Sequence, residues 1–243
     1  MVEPVIIGNA ELWLGDCRDV LPTLGPVDAV VTDAPFGIAD APIQGQDRSG
    51  KRRGAVNTWH PPSDWDAVLD PAWGPLVCNA APIVAWFGQW RKREEVSGFM
   101  PWLLRAEIVW AKDCHMGPPS PVAPRDERIW LFAEHGINGA TFETSVWDCA
   151  VIPTWAHKHH KNEKPVPLMK RLIRFLGAET VCDPFAGSGS TGVAAVQLGK
   201  RFIGIERDPK HFATACRRIE EAYRQADLFI ERPPAPKQEE IQL

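Results

Sequence analysis

The chain has 243 residues, of which 44% are hydrophobic, and its formal net charge is −4. This length fits one domain with a sizeable core, and the acidic balance argues against a protein whose whole surface binds nucleic acid. The sequence has no run of 18 apolar residues and no charged-then-apolar pattern at its N-terminus, which argues against a membrane span and a secretory leader. We therefore expect a soluble, cytoplasmic protein.

Short apolar runs rich in β-branched residues alternate along the chain with stretches of helical periodicity. This alternation is typical of an α/β fold built on a parallel sheet. The predicted strands are 11–15, 28–32, 83–88, 107–111, 128–133, 180–183 and 202–206, and the predicted helices are 89–99, 166–176, 190–198 and 209–225. Asp208 and Pro209 suit the N-cap and the first position of the last helix.

We expect a single domain over residues 1–230 and a disordered tail over 231–243. Long loops are predicted at 38–64 and 113–126, and an irregular segment with Trp and His at about 135–162. Loops of this length are usually functional or disordered. Basic clusters in the first and third of these segments are either solvated faces or the lining of a local nucleic-acid groove.

A glycine-rich turn follows the strand predicted at 180–183. Gly187 and Gly189 allow a tight turn and a close approach of the backbone to a ligand, and the first amides of the next helix offer donors. With Gly192 they match the dinucleotide fingerprint, and Glu206 at the end of the next strand could hold ribose hydroxyls. This pattern alone leaves open a nicotinamide cofactor, an adenosyl cofactor, or a turn without a ligand.

A second turn, Asp-Ala-Pro-Phe, follows the strand predicted at 28–32. Pro35 fixes its own φ and favours an extended Ala34, so that Asp33 and the Ala34 carbonyl can point at one spot. Two acceptors aimed at an amine would orient its hydrogens and leave its lone pair facing a methyl donor. Phe36 offers a flat face for stacking a base taken out of the duplex.

With both turns in this order, the chain resembles the β-type, permuted DNA amino-methyltransferases, which are specific for adenine N6 or cytosine N4. In that family an Asp-Pro-Pro-Tyr type motif precedes the cofactor-binding motif, as 33–36 precedes 183–189 here. The segment 14–17 is similar to the family's adenosyl-contacting run, 162–169 to its Lys-Pro helix start, and 201–206 to its ribose-binding strand. The similarity is close over two blocks, 10–40 and 158–222, and holds only in outline between them.

The resemblance implies a Rossmann-like class I fold: a circularly permuted, seven-stranded, mostly parallel sheet with helices on both faces. It also implies in-line methyl transfer from S-adenosyl-L-methionine to the amine of a flipped base in double-stranded DNA, with no covalent enzyme intermediate. The residues implied for catalysis are Asp33, Ala34, Pro35 and Phe36. Those implied for cofactor binding are Asp16, Cys17, Lys164, Pro165, Asp183, Pro184, Phe185, Ala186, Gly187, Ser188, Gly189, Thr191, Glu206 and Arg207.

Within this set the resemblance assigns Asp16 to the adenine of the cofactor, Glu206 to its ribose, and Lys164 and 183–189 to its methionine portion. The candidates for DNA contact are the basic clusters Arg48, Lys51, Arg52, Arg53, His157, Lys158, His159 and His160. A bacterial or phage origin and a homodimer are further expectations from the family, and sedimentation tests the second. The family's best-known setting, restriction-modification, is one of several roles left open.

The chain departs from the family pattern at Ala34, which stands where the first proline is usual. The carbonyl at this position is retained, so we expect a less rigid turn and an active enzyme. The recognition segment, 135–162, is short, which suggests a short target sequence or help from a partner. In the family that the chain resembles, Asp as the first motif residue is more frequent among adenine-specific members and Ser among cytosine-N4 members, so the resemblance at Asp33 implies adenine as the target.

Alternatives on the same fold are a cytosine-N4 enzyme, a methyltransferase acting on an RNA base or a protein glutamine, and a non-catalytic DNA-binding homologue. A nicotinamide oxidoreductase explains the glycine turn but gives no role to 33–36. The histidines His157, His159 and His160 lack further ligands at metal-binding spacing, so we predict no metal. The six cysteines form no CxxC pair, and the resemblance gives them no catalytic role.

Overall fold

The computed structural model describes residues 3–35, 69–113, 125–137, 142–152 and 163–227. One mixed sheet runs through them, with strand order β1-β2-β9-β8-β3-β4-β6-β5-β7. The strands are β1 (Val5–Ile7), β2 (Ala10–Leu14), β3 (Ala29–Thr32), β4 (Ile83–Gly88), β5 (Leu103–Ala111), β6 (Asp126–Ala133), β7 (Val146–Asp148), β8 (Thr180–Asp183) and β9 (Arg201–Glu206). β6 is antiparallel to both of its neighbours and β1 to β2, and all other pairs are parallel.

Helices cover both faces of the sheet. They are α1 (Cys17–Val20), α2 (Trp73–Ala80), α3 (Arg93–Phe99), α4 (Val166–Leu176), α5 (Ser190–Gln197) and α6 (Pro209–Asp227), with short 3-10 turns at Leu21–Thr23 and Trp90–Lys92. Along β3 the buried side chains alternate, so Ala29 and Val31 pack with α4, α5 and α6 while Val30 packs with α1, α2 and α3. This two-sided burial confirms the predicted layers.

The centre of the sheet joins distant parts of the chain. β3 and β8 are parallel neighbours, with Ala29 opposite Val181, although some 150 residues separate them. After β8 the chain continues to β9 on one side, and after β3 to β4 on the other. The two motif blocks therefore meet at a topological switch point, where α/β sheets bind ligands at the carboxyl ends of their strands.

All seven predicted strands are present, and β4 and β8 have the predicted bounds. The expected seven-stranded sheet gains two three-residue edge strands, β1 and β7, so it has nine strands in the described part of the chain. β7 lies within the segment expected to be irregular, and Asp126 belongs to β6 rather than to a loop. These short edges carry too few residues for a visible alternation.

The helix predicted at 166–176 is confirmed as α4, and those at 190–198 and 209–225 differ from α5 and α6 only at their C-terminal ends. Asp208 caps α6 by accepting from the backbone amides of Lys210 and His211 at 2.7 and 3.1 Å. The helix predicted at 89–99 divides into a 3-10 turn and α3, and α1 and α2 were not predicted. Among the described helices, none is long and apolar enough to cross a membrane.

Candidate functional site

A cavity of about 450 Å³ opens at the carboxyl edge of β2, β9, β8 and β3, over the switch point. This volume lies in the range of about 300–1,000 Å³ that is typical of small-molecule sites. Three residues of the predicted catalytic turn line it, namely Asp33, Ala34 and Pro35. Most of the predicted cofactor residues line it too, namely Asp16, Cys17, Lys164, Asp183, Pro184, Phe185, Ala186, Gly187, Ser188, Thr191, Glu206 and Arg207.

Two predicted cofactor residues do not line the cavity. Pro165 is the N-cap residue of α4, and Gly189 is the N-cap residue of α5; each adjoins a lining residue in the chain. Phe36 lies outside the described residues. So do the predicted DNA contacts, Arg48, Lys51, Arg52, Arg53, His157, Lys158, His159 and His160.

Glycine suits the three positions 187, 189 and 192 of the turn for different physical reasons. Gly187 and Gly189 have φ of +53° and +83°, a left-handed conformation that strains other residues. A Cβ at Gly187 would make only an ordinary contact, 3.9 Å from the Phe185 carbonyl oxygen, whereas one at Gly189 would lie 2.9 Å from the Ala215 Cβ. A Cβ at Gly192 would lie 2.5 Å from the Ile219 side chain. Gly187 thus leaves the cavity open, and the other two let α5 pack closely.

Asp183 anchors the glycine turn from the end of β8. Its carboxylate accepts from the Thr191 hydroxyl at 2.6 Å and from the Phe185 amide at 3.1 Å. Burial raises the pKa of Asp183 to about 7, and the nearby Asp33 and Glu206 carboxylates contribute to the rise. A positively charged ligand in the cavity would favour the ionised form of Asp183.

Glu206 ties the end of β9 to the turn. Its two carboxylate oxygens accept from the amides of Gly187 and Asp208, each at 2.8 Å, while its carbonyl accepts from the Gly15 amide at 3.0 Å. Each carboxylate oxygen has further lone pairs, and Glu206 lines the cavity. It can therefore shape the turn and still accept hydrogen bonds from a ligand.

Asp16 caps α1 and is held by its neighbour. Its carboxylate accepts from the Arg18 amide at 2.9 Å and from the Arg18 guanidinium at 2.6 and 2.9 Å. The hydrogen bond from Arg18 lowers the pKa of Asp16. The residue lines the cavity as an ionised group in a fixed orientation.

The Asp33 carboxylate belongs to a row of charged side chains. Lys164 Nζ lies 2.7 Å from Asp33 Oδ2 and 2.7 Å from Glu127 Oε1, and Lys112 Nζ lies 2.9 Å from Glu127 Oε2. Asp33 Oδ1 is buried and has no hydrogen-bond partner among the described residues. Burial raises the pKa of Asp33 to about 6, against the opposing effect of Lys164.

Arg218 of α6 braces the glycine turn from behind. Its guanidinium donates to the Ser188 carbonyl and hydroxyl at 2.7 and 3.0 Å, and it pairs with Glu163 at 2.5 Å. Both charged side chains are at least 90% buried, so the pair fixes the turn against the start of α4.

The charged side chains that line the cavity are mainly acidic. Among the described residues its lining has seven carboxylate side chains and three cationic ones from Lys or Arg. Such a surface suits a sulfonium cation and disfavours the dianionic pyrophosphate of a nicotinamide dinucleotide. Volume, charge and the opening over Gly187 all fit S-adenosylmethionine.

Comparison with known proteins identifies the family. A profile of the N6/N4 DNA methylases matches residues 27–217, more than half of the chain. The YubD protein of Escherichia coli K12 is 30% identical over 205 residues, which cover 79% of this chain and 82% of YubD. The chain belongs to the N6/N4 DNA methylase family. Membership places it among the S-adenosylmethionine-dependent DNA amino-methyltransferases, whose targets are adenine N6 and cytosine N4.

Shorter sequence matches agree with this membership, and solved structures share the fold. The type II methyltransferase M2.DpnII of Streptococcus pneumoniae is 42% identical over 71 residues, 28% of this chain and 26% of M2.DpnII. The crystal structure of an M1.HpyAVI–SAM complex superposes with a TM-score of 0.66 at 19% identity, over 86% of this chain and 98% of that one. The cytosine-N4-specific PvuII methyltransferase superposes with a TM-score of 0.62 at 17% identity, over 90% of this chain and 93% of that one. At such identities the superpositions show the fold alone, and they confirm the predicted class.

The described thiols of this methylase are poorly suited to nucleophilic chemistry. Burial raises the pKa of Cys17 and of Cys78 to about 12, and it also raises the pKa of Cys149, Cys182 and Cys216. Protonated thiols fit direct transfer without a covalent intermediate. Within the described residues there is no group of His, Cys, Asp and Glu that could hold a metal ion.

Sequence reasoning missed part of the methylase's site. The unpredicted lining residues are Gly15, Arg18, Asp70, Trp73, Glu163, Met169, Ser190, Ile205, Asp208 and His211. Trp73 of α2 packs edge-on against Phe185, with ring centroids 4.9 Å apart. Glu127 and Lys112 were also missed, although a carboxylate beside the apolar run of β6 is a usable signal.

Proposed function

We propose that the chain transfers a methyl group from S-adenosylmethionine to the 6-amino group of adenine in double-stranded DNA. The observation that carries this proposal is that the two carboxylate oxygens of Asp33 have different surroundings. Lys164 holds one carboxylate oxygen at 2.7 Å, while the other is buried and has no hydrogen-bond partner in the described part of the chain. A buried acceptor is costly unless a donor reaches it. An exocyclic amine is such a donor.

The cofactor would lie along the acidic cavity. Glu206 would accept from its ribose hydroxyls, Asp16 would face its adenine, and the turn from Asp183 to Gly189 would surround its methionine portion. When bound, the cofactor supplies an electrophilic methyl carbon, whose bond to sulfur breaks with the electron pair leaving on sulfur.

Asp33 and the Ala34 carbonyl would orient the target amine. With its two N–H groups donating to these acceptors, the amine would present its nitrogen lone pair to the methyl donor, where the new N–C bond would form. One N–H proton then leaves along the hydrogen bond to Asp33, whose pKa of about 6 suits a proton acceptor near neutral pH. Phe36, outside the described residues, would stack on the flipped base.

Adenine is proposed over cytosine because the first motif residue is Asp. The names of similar proteins include both targets, since YhdJ of E. coli K12 is called a DNA adenine methyltransferase and PvuII methyltransferase is called cytosine-N4-specific. Incubation with cofactor and unmethylated genomic DNA, followed by mass spectrometry of the nucleosides, decides the base. We expect 6-methyladenine; 4-methylcytosine alone would overturn the choice of base and keep the reaction.

Glu206→Ala should weaken cofactor binding by about 1–3 kcal/mol, the range for losing hydrogen bonds to a charged group. Part of this loss would come through the turn, because Glu206 also accepts from the Gly187 amide. Calorimetric titration with S-adenosylmethionine measures the Kd. Glu179→Ala, which removes an exposed carboxylate outside the cavity lining, is the control. An unchanged Kd in Glu206→Ala would refute the ribose role.

Ala34→Pro should keep or raise methyl transfer, because a proline restricts the turn to the extended conformation that the proposal requires. Ala34 is 1% exposed and packs in the core, so the added ring atoms must be accommodated. Initial rates give the activity, and thermal unfolding reveals any overpacking. A fully folded but inactive variant would mean that this turn works differently.

A further inference from the structure

We propose that Glu127 and Lys112 are positioning residues: with Lys164 they form a buried row of alternating charges that fixes Lys164 on one oxygen of Asp33 and leaves the other for the target amine. This inference rests on the proposed function, in which Asp33 receives the amine. The row is defined as Lys112, Glu127, Lys164 and Asp33.

The row brings together four separate parts of the fold at one edge of the sheet. Lys112 follows β5, Glu127 lies near the start of the antiparallel β6, Lys164 precedes α4 and Asp33 follows β3. The three N–O distances along it are 2.9, 2.7 and 2.7 Å. The side chains of Lys112, Glu127 and Lys164 are 11%, 10% and 9% exposed. The side chain of Asp33, at the cavity end of the row, is 26% exposed.

Aromatic rings limit where the two ammonium groups can move. Lys164 Nζ lies 5.2 Å from the centroid of the Phe87 ring, and Lys112 Nζ lies 4.6 Å from that of Trp110. Both are cation–π distances. Lys164 is thus held by an aromatic face and two carboxylates, which defines the oxygen of Asp33 that it occupies.

The alternation of charge along the row explains why Lys164 alone, without Glu127 and Lys112, would not be held in place on Asp33. Isolated buried charges are strongly disfavoured, and a pair is tolerated when its remaining hydrogen-bonding groups are satisfied. The Lys164 ammonium can interact with more than Asp33, and Glu127 Oε1 lies 2.7 Å from its Nζ. Glu127 would then carry uncompensated charge, which Lys112 balances. The four groups sum to zero net charge.

The same groups act on the titration of Asp33 with opposite signs. Burial raises the pKa of Asp33, Lys164 and Lys112 lower it, and Glu127 raises it. Asp183, at the end of β8, also lines the cavity, and the Asp33 carboxylate raises its pKa. Removing Glu127 and removing Lys112 should therefore shift the pKa of Asp33 in opposite directions. A merely structural role predicts no such opposition.

The test is the pKa of Asp33 measured directly by ¹³C NMR of carboxyl-labelled aspartate, with Asp33→Asn to assign the signal. We expect Glu127→Gln to lower that pKa and Lys112→Gln to raise it, each by about 0.5–1 unit. Lys112→Arg keeps the charge and should restore the wild-type value. Lys92→Gln and Glu95→Gln, which change an exposed pair, should leave it unmoved.

The acid limb of the pH profile of kcat for methyl transfer should move to lower pH in Glu127→Gln and to higher pH in Lys112→Gln. Shifts of the same sign in both variants, or no shift in either, would overturn the proposal. If Glu127→Gln fails to fold, the Lys112→Gln and Lys112→Arg pair decides the outcome alone. A wild-type chain that transfers no methyl group would refute the proposed function, while the NMR titration would still decide whether the row acts on Asp33.

Discussion

Asp33→Asn should lower the rate of methyl transfer by about 10³-fold and leave the affinity for S-adenosylmethionine nearly unchanged. The amide is nearly isosteric, so the turn and its packing stay intact. It lacks the charge that Lys164 contacts at 2.7 Å, and its Nδ2 donates where the amine needs an acceptor. Single-turnover rates on DNA, together with calorimetric Kd values for the cofactor, measure both effects.

Asp19→Asn, in the short helix α1 and outside the cavity lining, is the matched control and should behave like wild type. A loss of cofactor affinity in Asp33→Asn as large as that in a Gly187 variant would place Asp33 against the cofactor. A rate within about threefold of wild type would remove Asp33 from the chemistry altogether, since a positioned acceptor is worth about 10²-fold or more.

Lys164→Met should destabilise the fold by about 3–5 kcal/mol, the usual cost of removing one partner from a buried ion pair. Two carboxylates, Asp33 and Glu127, would lose their shared cation. In the wild type burial raises the pKa of Glu127, but Lys164 and Lys112 outweigh that effect and the net shift is downward. Urea unfolding at several pH values measures the change.

The pH dependence of this loss has a definite sign. Without Lys164 the folded-state pKa of both carboxyls rises above the unfolded value of about 4, so the folded variant binds protons more readily than the unfolded chain. The stability deficit relative to wild type should therefore be largest at neutral pH and shrink as the pH falls toward about 4. Lys200→Met, which breaks a pair with the exposed Glu179, should cost at most about 1 kcal/mol. A deficit independent of pH would contradict the charge account.

The strands and helices that the sequence predicted are those whose hydrophobic pattern is clear within the element itself. The apolar runs of β3, β4, β8 and β9 are buried at nearly every position, which makes them visible as strands. α2 was missed because Pro75 stands within it and its eight residues offer little periodicity. The edge strands β1 and β7 owe their conformation to the strand beside them, which local sequence does not reveal.

The residues of the site likewise divide into those that a local motif reveals and those that only contacts between distant parts of the chain reveal. The turns at Asp33 and Asp183 are local motifs, and the structure brings them to one cavity as the permuted order predicts. The row behind Asp33 depends on pairing between Lys164 and Glu127, 37 positions apart, and between Lys164 and Asp33, 131 apart. Lys164 was expected at the cofactor; its distances to these two carboxylates add a role that only the tertiary structure reveals.

The most direct test of the central claim is transfer of tritiated methyl groups from S-adenosylmethionine to unmethylated double-stranded DNA, in parallel with RNA of the same sequence. Asp33→Asn serves as the blank. We predict label in DNA, none above the blank in RNA, and loss of the DNA label in the variant. Label in RNA alone, or no label in DNA from a chain that binds the cofactor, would contradict the account.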